Sequence, residues 1–172
     1  MTTKKESGYV IPTVALDDRG LTCDSCYFFN DDKCSIVKGF IDEKATCNLW
    51  SRTNSLSLHF LSGKDVLLKL KKGKVTKIEA GYTDARKTKA VRPFVEGKGI
   101  RCGSCVSFIP SNDNKPNDNK PNGCKGVAGD INKYACCNLW SDVEGSKIDY
   151  MSGKDIKNKL RDIIDIEDIV MK

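Results

Sequence analysis

The chain has 172 residues, nine of them cysteine, with a formal net charge of +6 and 39% hydrophobic against 30% charged residues. That balance excludes one large continuous core and favours two small units, each short of apolar burial and in need of a staple. No stretch approaches the roughly 20 apolar residues of a membrane span, and Met1 to Asp18 shows no secretory leader, so a cytosolic, thiol-reducing setting is expected.

Taken in chain order, the sequence repeats itself. "ESGY" (Glu6–Tyr9) is followed by "RGLTCDSCYFF" (Arg19–Phe29) and "KCSIVKGFIDEKATCNLWS" (Lys33–Ser51). Then comes "LSGKDVLLKL" (Leu61–Leu70). A second copy follows: "EAGY" (Glu79–Tyr82), "KGIRCGSCVSF" (Lys98–Phe108), "GCKGVAGDINKYACCNLWS" (Gly123–Ser141) and "MSGKDIKNKL" (Met151–Leu160). Such self-similarity predicts two modules, 1–78 and 79–172. The first cysteine pair of each lies among Gly, Asp and Ser, which predicts a turn. Ser62 and Ser152, each with Asp three residues on and an apolar run behind, predict helix starts. For the first copy, "KLKKGKVTKI" also allows a hairpin turning at Gly73. For the second, Ile156, Leu160, Ile163, Ile164 and Val170 fall on one face of a C-terminal amphipathic helix.

The two cysteine pairs match at an offset of 79, whereas everything from the third cysteine onward matches at 90. The difference is one insertion, "NDNKPNDNKPN" (112–122), which has no apolar residue and reads as a surface loop. The spacings are therefore C-x2-C-x7-C-x12-C and C-x2-C-x18-C-x12-C. Four thiols used twice are either a metal site used twice or a disulfide frame used twice. Thiolates suit Zn²⁺ or an iron–sulfur cluster. Zinc sites usually draw on two close pairs, and here only the first pair is close; a cubane accepts ligands from more separate segments. Tyr27, Phe28, Phe29, Phe40 and Trp50 provide rings to keep water from such a centre. "CGSC" alone also matches a dithiol redox motif, but no strand–helix context accompanies it.

"CDSCYFF", "CSIVKGFI" and the closing "CNLW" resemble the high-potential iron–sulfur protein (HiPIP) family, and in particular short iron–sulfur proteins encoded among bacteriophage structural genes. The resemblance covers about residues 19–51 and 98–141. It implies a small, irregular, metal-stapled α+β fold: two HiPIP-like modules with few regular elements, each followed by a short helix or hairpin. It further implies two [4Fe-4S] clusters, one on Cys23, Cys26, Cys34 and Cys47 and one on Cys102, Cys105, Cys124 and Cys137, with two Zn²⁺ as the alternative. The second copy departs from the pattern in its insert and in "GCKGVAGDI". Cys136, opposite Thr46 of the first copy, is the ninth thiol and reads as a small buried side chain or as a stand-in for Cys137. The single histidine, His59, excludes ligation by two histidines.

Twelve Lys and Arg against four acids crowd Lys64 to Arg101. No recognised nucleic-acid motif accompanies them, so a solvated face is expected rather than a nucleic-acid interface. No catalytic triad, P-loop or dinucleotide glycine motif is present, so neither an enzyme nor a small-molecule substrate is expected. The expected role is a non-enzymatic iron–sulfur building block of a phage virion, or of its assembly. Its partners would be capsid or tail proteins, in the virion or host cytoplasm and not at a membrane. An electron-transfer protein or accessory subunit of a larger enzyme is the alternative, and a double zinc module a second one.

Overall fold

The computed structural model describes residues 1–11, 21–51, 53–54, 56, 58–83, 101–111, 121–142 and 149–161. Most of the insert, much of the basic stretch, and Ile163, Ile164 and Val170 lie outside the described residues.

Each cysteine pair opens on one 3-10 turn, Cys23–Ser25 or Cys102–Ser104, in which the second cysteine's amide donates to the first one's carbonyl. A short hairpin follows. In the first copy β1 (Phe29–Asn30) pairs antiparallel with β2 (Lys33–Cys34), placing Phe29 opposite Cys34. Asp31 and Asp32 both take positive φ, 42° and 60°, as a two-residue type I′ turn demands and as Asp tolerates. In the second copy β3 (Phe108–Ile109) pairs with β4 (Gly123–Cys124), with Phe108 opposite Cys124. The insert thus replaces the turn between the strands, and the third cysteine keeps its register.

Helices α1 (Gly63–Leu70) and α2 (Gly153–Leu160) start where the sequence predicts. The hydroxyl oxygens of Ser62 and Ser152 accept from the amides of Asp65 and Asp155, both at 3.2 Å, satisfying one of the orphan donors at each helix start. In the first copy the helix, rather than a hairpin at Gly73, is what forms.

Two segments, 1–10 and 74–83, repeat at an offset of 73. Thr2 bridges Val37 in parallel and Val10 bridges Thr46 antiparallel; Val75 and Val127, and Thr83 and Cys136, do the same in the second copy. Each segment turns at a left-handed glycine, Gly8 (φ +63°) or Gly81 (φ +61°). A Cβ at either would run into the side chain of Asn48 or Asn138, the residue after each closing cysteine.

Packing exchanges the helices between the copies. Ile156 and Leu160 of α2, both fully buried, lie in one core with Cys23, Phe28, Ile36 and Leu49. Val66 of α1, also fully buried, lies with Val75, Cys102, Val127 and Ile131, and Leu70 packs on the same core. Lys159 of α2 bonds Glu6 at 2.5 Å, and Lys69 of α1 bonds Glu79. The two connections cross where the Gly63 amide donates to the Tyr150 carbonyl (3.1 Å) and the Gly153 amide to the Phe60 carbonyl (3.0 Å). Gly153 sits so close to the Leu58 backbone there that any Cβ would overlap it. The sequence halves are therefore interlocked. The first packed unit comprises segment 1–10, residues 21–51 and α2; the second comprises α1, segment 74–83 and residues 101–111 and 121–141. The whole is a small, irregular α+β structure with two short helices and two two-stranded sheets among the described residues.

Candidate metal centre

In each unit the four repeated cysteines border one cavity. Cys23, Cys26, Cys34 and Cys47 line the first, with Tyr9, Phe29, Ile36, Ile41, Leu49 and Trp50 among its walls. Cys102, Cys105, Cys124 and Cys137 line the second, with Leu70, Tyr82, Phe108, Ile131, Leu139 and Trp140. The first two thiols of each set come from the 3-10 turn, the third from the end of the hairpin, and the fourth from the segment paired to 1–10 or 74–83. Residues separated by up to 35 positions are thus brought together without any long element.

Among the described residues, no group of three or more His, Cys, Asp or Glu side chains is gathered to hold a single metal ion. The thiols stand around a space instead. Of the rings predicted to surround the first set, Phe29 and Trp50 line the cavity, and Phe28 is buried in the core beside it. Tyr27 and Phe40 are exposed, at 44% and 65%. Tyr9 and Tyr82, not singled out from the sequence, take their place as walls. Their hydroxyls accept from the amides of Asp42 (2.8 Å) and Asn132 (2.9 Å), a role signalled only by the repeated "GY".

Burial raises several of these thiols, which favours their neutral form unless a partner supplies positive charge. Burial pushes the Cys23 thiol far up, and the nearby Cys26 and Cys34 add to it. Cys102 is raised in the same way, by burial and then by Cys137, Cys105 and Cys124. Cys47 lies well above the ordinary thiol range through burial and its three partners, against which the Leu49 amide works. Cys137 is pushed up to about 12 by burial, opposed by a hydrogen bond from the Leu139 amide, with Cys105 and Cys124 adding to the rise. Cys34 is raised by burial and lowered by the amides of Ile36 and Val37, and the Gly126 amide donates to Cys124 Sγ at 3.4 Å. Desolvated, mutually repelling thiols with amides aimed at their sulfurs are stable as thiolates only once a thiophilic cation supplies the missing charge. The donor set therefore fits a thiolate-bound metal centre.

Each tryptophan ties the closing cysteine's segment to the opening turn. Trp50 Nε1 donates to the Thr22 carbonyl (3.0 Å) and Ser25 Oγ (3.2 Å). Trp140 Nε1 donates to the Arg101 carbonyl (3.0 Å) and Ser104 Oγ (3.3 Å). Ser25 and Ser104 were missed as functional residues; the signal was the serine common to "CDSC" and "CGSC". Both tryptophans also border a third cavity of about 40 Å³ between the units, together with Cys47, Cys137 and Cys136.

Cys136 is buried, and its backbone pairs with Thr83 as Thr46 pairs with Val10. It borders this inter-unit cavity and neither of the two four-thiol cavities. His59 is exposed and borders none of the three. No family model, curated protein or solved structure matches this chain.

Proposed function

We propose that the chain is a non-enzymatic iron–sulfur protein whose two [4Fe-4S] clusters staple two small interlocked units. The observation that carries this reading is that all four repeated cysteines of each unit border one largely apolar cavity. Cys23, Cys26, Cys34 and Cys47 would hold one cluster, and Cys102, Cys105, Cys124 and Cys137 the other. Four thiols drawn from three separate segments suit a multi-iron centre better than one zinc ion, which usually takes its ligands from two close pairs. When bound, such a centre offers four cross-links from segments distant in sequence and a one-electron couple. The chain's own residues do the rest. Trp50 and Trp140 lock the turns that carry the first cysteine pairs, Tyr9 and Tyr82 wall the cavities, and backbone amides hold the thiolate charge.

A role in a phage virion, docked to capsid or tail proteins, rests on the resemblance of the cysteine segments alone. A monomeric protein without affinity for any such partner would remove it. The second reading is electron transfer, favoured by one observation: Cys47 and Cys137, the closing thiols of the two sets, border the same small cavity with Trp50 and Trp140. Anaerobic purification with iron and sulfide quantification tests the main reading. About eight iron and eight sulfide per chain are expected; two zinc and no sulfide would overturn it. Voltammetry then separates the readings, because a reversible couple in the physiological range is needed only by an electron carrier.

A further inference from the structure

The two cavities are built on the same plan yet differ greatly in size, about 190 Å³ beside the second cysteine set and about 10 Å³ beside the first. The repeat shows why. Phe28, buried at 5% exposure, is matched in the second unit by Ser107, which lines the cavity. Ile36, at 1%, is matched by Gly126, which also lines it. A sec-butyl group is thus missing from the cavity wall and a phenyl ring from the core beside it, and a Cβ on Gly126 would find only ordinary contacts with Leu70 and Leu139. Three neighbours follow suit: Cys26, Leu49 and Leu160 are buried, whereas their counterparts Cys105, Leu139 and Leu70 are each partly exposed; the tryptophans run the other way, Trp140 buried and Trp50 partly so.

We propose that the two centres are functionally unequal: the first is closely packed, and the second leaves room beside its thiols for small solutes that carry a metal-ligating group, such as chelators and low-molecular-weight thiols. The inference rests on the metal-centre reading above. Physically it follows from the apolar shell, which controls access of solvent to a centre; removing about ten side-chain carbons from the wall and the core beside it leaves room beside the second set. The first unit acts as a permanent staple, and the second as the site where the centre is exchanged or sensed.

The test uses the full chain, purified anaerobically and challenged with EDTA. Iron passes from thiolate and sulfide ligands to the aminocarboxylate without electron transfer, the sulfide takes up protons and leaves as hydrosulfide, and protons return to the cysteine thiols. Iron should leave in two equal phases separated at least tenfold in rate. Ser107→Phe should slow the fast phase and leave the slow one alone. Phe28→Ser should speed the slow phase toward the fast one, and it reads the same position of the repeat should Ser107→Phe fail to fold. A single phase, or a fast phase unchanged in a folded Ser107→Phe protein, overturns the inference. Iodoacetamide labelling mapped by mass spectrometry separates this failure from failure of the metal reading. A chain without iron defeats that reading, yet Cys105 must still label before Cys26; equal labelling overturns the inequality itself.

Discussion

Leu160 offers a direct test of the helix exchange. Its side chain is fully buried in the core that holds Cys23, Phe28 and Ile36, although it lies more than 100 residues from them in the chain. Leu160→Ala removes three carbons at about 0.8 kcal/mol each, and the cavity left behind brings the cost to about 3 kcal/mol, within the range of roughly 2–5 for buried Leu→Ala changes. A loss of about 3 kcal/mol raises the open population of the affected unit roughly a hundredfold. Amide hydrogen exchange resolved by peptide should place that loss over residues 21–49. The reciprocal variant, Val66→Ala in α1, deletes two carbons from a fully buried site in the other core and should cost about 2 kcal/mol, read out over residues 101–141. Should Leu160→Ala loosen 101–141 and leave 21–49 protected, the exchange of helices would be refuted.

Other outcomes follow from the same geometry. Trp50→Phe keeps the ring but deletes the donor to Thr22 and Ser25, and should cost about 1 kcal/mol in denaturant unfolding; an unchanged midpoint would remove the clamp role. Gly81→Ala forces a Cβ into a left-handed position against Asn138 and should destabilise by about 1–2 kcal/mol, whereas Gly39→Ala, left-handed but in open space, should show only the backbone part. Lys159 holds the Glu6 carboxyl down from 4.5 to about 2, with the Thr3 amide helping, and Lys69 lowers Glu79 in the same way. A depressed carboxyl contributes stability that is present above its unfolded value and is lost as pH falls from about 4.5 toward about 2. Lys159→Met should therefore lower stability slightly at neutral pH, where the contribution is fully present, and make little difference near pH 2, so that the acid limb flattens in that window; an acid limb identical to the parent chain would contradict it. Stripping the metal from the parent chain should abolish cooperative unfolding, because the folding free energy of a stapled small unit is largely its binding free energy; a sharp transition in the stripped chain would show that the apolar cores suffice.

Much of the site is legible in the residue order because its signals are local or repeated. The two sets of four cysteines stand out by duplication. The helix starts follow from the Ser-x-x-Asp capping chemistry of Ser62 and Ser152, which acts within one turn. The insert could be placed between the second and third cysteines because a hairpin loop tolerates length, and Phe108 still pairs with Cys124 across it. The rings were harder: Tyr27, next to Cys26 in sequence, and Phe40 are exposed, whereas Tyr9, 14 residues before Cys23, lines the first cavity. Adjacency along an irregular chain does not say which way a side chain points, since no fixed period governs it.

What the sequence by itself determined is the duplicated thiol chemistry, the local starts of the helices and the position of the insert, all matters of spacing and short-range bonding. Tertiary structure alone decided which core each helix serves. Val66 and Ile156 are equally apolar and equally spaced from their caps, so either could seal either unit, and only the crossing at Gly63 and Gly153 directs them. It also decided that the two cavities differ in volume, because the change from Ile36 to Gly126 opens space only where no neighbour fills it.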